Sequence, residues 1–268
     1  INPDVIYENG GCAETGIAAY HAKRSGCQSI WHIASDNDLK GINGLSLLKP
    51  HRYIERKMLH WGIKHAKIIV AQSDAQKRIV ARINPNATIH LVRNFHPDPQ
   101  HNGSIEKSNQ IVWVANFKPL KQPEIFITLA ERLQQRNIDV RCIMVGAPAA
   151  HPEGYQHNLE ARIAKAGNLD YLGVLPVSDV NRIIAGSRLL VNTSKWEGFP
   201  NTFIQSWMRK TPVISLSCDP DHVISNHQCG VVSGSLDNMV ENVIALLGEH
   251  SRLKAMGENS YAYAMRHH

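Results

Sequence analysis

A chain of 268 residues has room for two compact domains of ordinary size or one large one. Its hydrophobic fraction of 43 % never concentrates into an apolar run of about eighteen residues, so no stretch reads as a membrane span. The net charge of +6 suits anionic nucleotides or an anionic surface. No Arg-rich tract interleaved with aromatics accompanies that charge, which argues against nucleic acid as a partner.

The front of the chain alternates strand and helix. Asp4–Tyr7 reads as a strand, Glu14–Ser25 as an Ala-rich helix, Ser29–Ala34 as a strand and Pro50–His65 as a basic helix. Lys67–Ala71 is the next predicted strand. Ser73-Asp74 caps a short helix through Arg82, and Thr88–Val92 is another strand. Residues 97–109 are polar and rich in Pro, Gly and Ser, the composition of an interdomain linker. The expected division is therefore 1–97, a linker at 98–109, and 110–268. Ile1 is not an initiator Met and no signal-like segment opens the chain, so its first residue is not expected to be the natural start. Five cysteines (12, 27, 142, 218 and 229) lack CxxC spacing and read as reduced thiols of a cytoplasmic protein.

The second half repeats the rhythm. Gln110–Asn116 is a strand, followed by the loop Phe117–Pro123 and an amphipathic helix from Glu124 to Arg136. Arg141–Gly146 is a strand ending on a glycine, and Leu169–Pro176 is a strand and turn. Arg188–Ser194 is an apolar run of the length of a buried parallel strand. Gly198 and Pro200 then break the chain. Pro200 or Asn201 starts a helix that Asn201 or Thr202 is placed to cap, and that helix stops near Thr211-Pro212. Val213–Leu216 is a strand, Asp219 to Val232 a loop and strand, and Asp237–Leu247 a helix. In an open α/β sheet, ligands gather outside the carboxyl ends of the strands, where the Glu197–Pro200 turn falls. First-turn N–H groups of a helix suit a phosphate, and Glu197 just before them suits sugar hydroxyls. Gln205 follows about two turns along, with an amide that donates and accepts.

The run Glu197-Gly198-Phe199-Pro200, with Gln205 eight residues after the glutamate, resembles the Glu-x7-Glu signature of retaining, family-4-like glycosyltransferases of the GT-B fold. The second acidic residue is here a glutamine. The resemblance implies two Rossmann-like α/β domains: an incomplete N-terminal acceptor-side domain, a chain shortened at its N-terminus, and a nearly complete C-terminal nucleotide domain. It implies a last crossover helix beyond His268. It places Lys121 where the family grips the diphosphate. The partner Arg position falls on Asn116, and Lys118 either supplies that missing charge or is merely solvated. Gly146 closes the second strand, and the backbone at Val174 and Leu175 lies against the base, unless that segment is an ordinary turn.

The implied activity moves a sugar from a nucleoside diphosphate-sugar, UDP-linked or similar, to a hydroxyl of a glycan, polysaccharide or lipid-linked acceptor, with retention. Glu197 and Lys121 are the implied catalytic pair. Gly198, Phe199, Pro200, Asn201, Thr202 and Gln205 complete the donor site, and no metal or other cofactor is implied. A nucleotide-sugar epimerase of the same fold, or a nucleotide-binding module without catalysis, are the alternative readings. Glu8 or Asn9 reaches an acceptor, or the pair is a plain strand-end turn. Asp36-Asn37-Asp38 matches a short metal-binding pattern of a different transferase fold but reads as a loop. The fifteen histidines show no ligand spacing, so no metal site is expected. The basic segment 51–67 either touches anionic lipid head groups at a membrane surface or a polyprenyl diphosphate, or is a solvated helix.

Overall fold

The structure, a computed structural model, describes residues 3–39, 50–97, 105–148 and 153–268. It divides into two compact units, one of residues 1–94 with 197–199, the other of 95–196 with 200–268. Most of the linker expected at 98–109 lies outside the described residues.

In the first unit, β1 (Val5–Asn9), β2 (Gln28–His32), β3 (Ile68–Ala71) and β4 (Thr88–Leu91) form a parallel sheet in that order. The crossovers are α1 (Ala13–Ser25), α2 (Pro50–His65) and α3 (Asp74–Ile83). Parallel strands need such helical crossovers, which explains the strict alternation seen in the sequence. Helices α1 and α2 meet almost backbone to backbone. A methyl at Gly16 would lie 2.5 Å from the Met58 carbonyl oxygen, and one at Gly62 lies 2.6 Å from that of Thr15. Leu59 and Ile63 of α2 face inward, while Arg52, Lys57 and Lys64 are exposed. Ser73 caps α3 as expected, its hydroxyl accepting from Gln76 N–H at 3.2 Å.

One expectation for this unit changes, and the loop expected at Asp36-Asn37-Asp38 gains its detail. Glu8 and Asn9 belong to β1 itself and do not form a turn after it. The Glu8 carboxylate accepts from Thr15 Oγ1 at 2.8 Å and Cys12 Sγ at 3.3 Å at the start of α1, and desolvation holds its pKa above the ordinary value. Asp36–Leu39 is a short 3-10 turn. Asp38 Oδ2 accepts from the Ala34 and Ser35 N–H groups, both at 3.0 Å, and Asp36 Oδ1 accepts from Gln76 Nε2 at 2.9 Å. Both carboxylates are thus occupied in folding the loop after β2.

The second unit holds β5 (Gln110–Val114), β6 (Arg141–Val145), β7 (Leu169–Tyr171), β8 (Leu189–Asn192), β9 (Val213–Ser215) and β10 (Gly230–Val232). Its helices are α4 (Pro123–Gln135), α5 (Glu153–Lys165), α6 (Val177–Gly186), α7 (Asn201–Trp207), α8 (Val223–Asn226), α9 (Leu236–Gly248) and α10 (His250–His267). The sheet order is β10-β9-β8-β5-β6-β7, parallel throughout. Counted from β5, this is the doubly wound order 3-2-1-4-5-6, and the direction of winding reverses between β5 and β8. Every residue of β8 and β9 is buried, as a sheet covered on both faces requires. Phe126, Leu129 and Leu133 of α4 pack with Met239, Val240 and Val243 of α9 in the core on one face.

Helices α5, α6 and α10 have no counterpart in the sequence reading. In α6 the inward pair is only Val180 and Ile184, directly after Pro176, so the segment reads as a turn. In α10 the inward positions Leu253, Met256, Gly257, Ser260, Tyr263 and Ala264 keep helical spacing but include small and polar residues that weaken the apolar signal. All five cysteines are free thiols, four of them buried.

Candidate functional site

The reversal of winding leaves the carboxyl ends of β5 and β8 side by side, with one loop rising from each. The β5 loop, residues 115–122, carries Asn116, Lys118 and Lys121. The β8 loop begins at Thr193 and leads to Glu197. The two are joined by backbone: the Lys195 N–H donates to the Leu120 carbonyl at 2.9 Å.

A buried side chain joins them again. Thr193 is fully buried, and its hydroxyl accepts from Trp113 Nε1 at 2.8 Å. It donates to the Lys121 carbonyl at 2.6 Å, with the Gln122 carbonyl at 3.0 Å as a second acceptor. Trp113 is itself packed against Phe117 and Phe126, so the backbone at Lys121 is anchored to the core. Gln122 then adopts a left-handed conformation (φ +50°) and Pro123 opens α4 at the position where proline costs no hydrogen bond.

The ends of β5, β6 and β7 are equally tied. The Gly146 N–H donates to the Gly173 carbonyl at 2.9 Å, and the Phe117 N–H to the Ala147 carbonyl at 2.8 Å. Tyr171 Oη donates to the Gly146 carbonyl at 2.9 Å. A methyl at Gly146 would lie 1.8 Å from the Ala115 carbonyl oxygen, at a φ of +150°. Only glycine fits there. Asn116, expected at a charge-bearing position, has its side-chain oxygen accepting from the Ala147 N–H at 3.2 Å. Lys118 is exposed, and Val174 is 70 % exposed beyond Gly173, with Leu175 partly covered.

The loop after β8 changes one expectation. Helix α7 spans seven residues, Asn201–Trp207, and its N-cap is Pro200. Asn201 and Thr202 therefore sit inside the first turn, and no side chain caps the helix. Proline fits an N-cap of extended backbone and displaces the predicted cap by one position. Gln205 lies on α7, with its Nε2 3.2 Å from His96 Nε2 and its carbonyl accepting from Arg209 at 2.8 Å. Glu197, Gly198 and Phe199 group with the first unit, whereas Pro200 onward groups with the second. The second unit thus brings together Asn116, Lys118, Lys121, Gly146, Val174 and Leu175 along one edge of its sheet, with Pro200, Asn201, Thr202 and Gln205 on the β8 side. Thr193 is the residue that sequence reasoning passed over. Its only signal is that a tryptophan one residue from the end of buried β5 needs an acceptor for its indole N–H.

The family model for glycosyl transferases group 1 matches residues 94–263, well over half of the 268 residues. The chain belongs to that family. Its fold is that of GT-B proteins. It is similar to HepE from Anabaena in complex with UDP, at 16 % identity and TM-score 0.75, over 98 % of this chain and 74 % of that one. It is similar to sucrose-phosphate synthase from Thermosynechococcus elongatus at 14 % identity and TM-score 0.75, covering 98 % and 69 %. A point variant of S. aureus TarM in complex with fondaparinux, alpha-GlcNAc-glycerol and UDP matches at 15 % identity and TM-score 0.73, covering 95 % and 50 %. The chain thus spans about half the length of TarM.

Among the described residues, no three His, Cys, Asp or Glu side chains are grouped to hold a metal ion, and no helix is long and apolar enough to cross a membrane.

Proposed function

We propose that this chain contributes to a glycosyltransferase that moves a sugar from a nucleoside diphosphate donor to an acceptor hydroxyl with retention of configuration and without a metal. Residues 110–268 are the donor side and residues 1–97 the acceptor side. The observation that carries this reading is the winding reversal between β5 and β8, where a cationic loop and the loop leading to Glu197 are held together.

Lys121, its backbone fixed through Thr193, would neutralise charge developing on the departing diphosphate. Lys118 is the second cation of that loop. Glu197 would hold the sugar hydroxyls and favour the oxocarbenium-like charge at the reacting carbon. The first turn at Asn201-Thr202 adds backbone N–H groups for a phosphate oxygen. Gln205 would contact the ribose as a neutral group, and the backbone near Val174 and Leu175 would meet the base. The solved relatives support a uridine donor, since HepE and TarM are described with UDP. The complex of TarM with fondaparinux and alpha-GlcNAc-glycerol supports a glycan-like acceptor. The exposed Arg52, Lys57 and Lys64 of α2 are the surface for a lipid-linked acceptor or anionic membrane in a cytoplasmic setting.

The test follows UDP release from UDP-glucose and UDP-GlcNAc with and without glycan acceptors. Release that requires an acceptor, with an α-linked product from these α-configured donors, supports retaining transfer. Conversion of the donor to its epimer without acceptor would replace it with the epimerase reading.

A further inference from the structure

The hydroxyl of Thr193 joins three parts of the fold that the sequence keeps far apart: a core tryptophan on β5, the loop that carries Lys121, and the end of β8. We propose that Thr193 is a positioning residue for nucleoside diphosphate binding, setting the place of Lys121 through the Lys121 backbone carbonyl. The inference rests on the reading of Lys121 as the group that meets the diphosphate.

The geometry leaves the hydroxyl little freedom. Its lone pair accepts from Trp113 Nε1 at 2.8 Å, which orients the single hydroxyl hydrogen toward the Lys121 and Gln122 carbonyls at 2.6 and 3.0 Å. Trp113 is 2 % exposed and Thr193 fully buried, so neither group has water as an alternative partner. Gln122 sits in a left-handed conformation that a non-glycine residue adopts only when its surroundings hold it there. The two carbonyls bonded by Thr193 flank that residue's backbone on one side and belong to it on the other. Removing the hydroxyl would strand the indole N–H and take away the bond that ties the Lys121 carbonyl to the end of β8. The Gln122 carbonyl keeps the Ile125 N–H at 3.1 Å, so the backbone at Lys121 would be the part to relax. A displaced loop moves the anchor of its cation, so meeting the same phosphate oxygen costs the flexible lysine side chain freedom and weakens the charge-assisted contact. The Lys195 N–H bond to the Leu120 carbonyl ties the preceding residue, and the Lys121 N–H bond to the Lys118 carbonyl at 2.8 Å closes the loop on itself; the Thr193 hydroxyl ties the Lys121 carbonyl to the core.

Calorimetric titration of UDP into the full chain, with GDP and ADP as comparison probes, tests this with Thr193→Val, which keeps shape and removes the hydroxyl, and Thr193→Ser, which keeps the hydroxyl. The valine variant is expected to bind about tenfold more weakly, and the serine variant within about threefold of the unmodified chain. Thr193→Ala stands in should the valine variant fail to fold. The Trp113 indole N–H resonance provides a second readout. It should move upfield in the valine variant and stay in place in the serine variant. A purely structural role would lower the unfolding midpoint and leave the dissociation constant of the folded fraction unchanged, and that result would overturn the proposal. Binding of none of the three nucleotides by the unmodified chain would overturn the donor-site reading instead.

Discussion

The two edges of the six-stranded sheet use polar side chains in opposite ways. At the amino edge, Lys107 is half-hidden beneath the end of α6. Its ammonium donates to the carbonyls of Ala185 and Ser187 and to Thr211 Oγ1, at 3.2, 2.8 and 2.7 Å. Thr211 in turn donates to the Ile184 carbonyl at 2.9 Å, and Ser187 Oγ to that of Ile183 at 2.7 Å. All of the ammonium's donors are met by protein, and a cation placed at a helix carboxyl terminus also satisfies its dipole. At the carboxyl edge, the backbone is tied just as tightly, but Lys118 and Val174 are left exposed. On the proposed reading, the exposed side chains on this rigid backbone are the ones left for a ligand. An edge whose polar groups are all consumed internally leaves none for a ligand. The lesson is that a lysine's role is read from what has used up its hydrogens, not from its charge.

Gly146→Ala would break the carboxyl edge most severely. A methyl 1.8 Å from the Ala115 carbonyl, at φ +150°, forces β5 and β6 apart at their ends. A loss of about 3 kcal/mol or more is expected, the scale of strain at a backbone geometry closed to side chains, with nucleotide binding lost in whatever protein remains folded. Denaturant unfolding measures it, and a change within about 0.5 kcal/mol would show that the edge can yield.

The amino edge is probed by pH. Burial pushes the Lys107 ammonium down from 10.5 to about 8. Below about 8 the group is protonated whether the chain is folded or unfolded, and the folded state carries the full cost of the buried charge. Between about 8 and 10.5 the unfolded chain keeps a proton that the folded chain has released, so stability rises with pH across that window. Relative to Lys107→Met, the unmodified chain should gain about 2 kcal/mol between pH 7.5 and 9.5, read from paired urea unfolding curves. Its affinity for UDP should match that of the methionine variant at pH 7.5. A parallel loss of UDP affinity would mean that the two edges are not separate in function.

Much of the second unit was legible in residue order. The strands expected at 110–116, 141–146 and 188–194 contain β5, β6 and β8, because buried parallel strands have a composition that short solvent-facing elements lack. The Gly-Phe-Pro break was legible as a strand-to-helix turn for the same kind of local reason. The sheet order was not written in those runs. It depends on which strand pairs with β5 across the crossovers, and it is this order that puts the Lys121 loop beside the β8 loop. Asn116 illustrates the limit from the other side. Its place in the motif suggested a donor contact, while its side-chain oxygen turns out to hold the Ala147 N–H. Thr193 was passed over because its meaning lies in an indole N–H eighty positions earlier, whose need for an acceptor does not name the residue that supplies it.

The central claim is that the carboxyl edge binds a nucleoside diphosphate through Lys121. Its most direct test is calorimetric titration of UDP into the unmodified chain and into Lys121→Ala. The account predicts saturable binding at one site per chain, weakened at least tenfold by the alanine substitution, as loss of a charge-assisted phosphate contact requires. Equal dissociation constants for the two proteins, both folded, would contradict it.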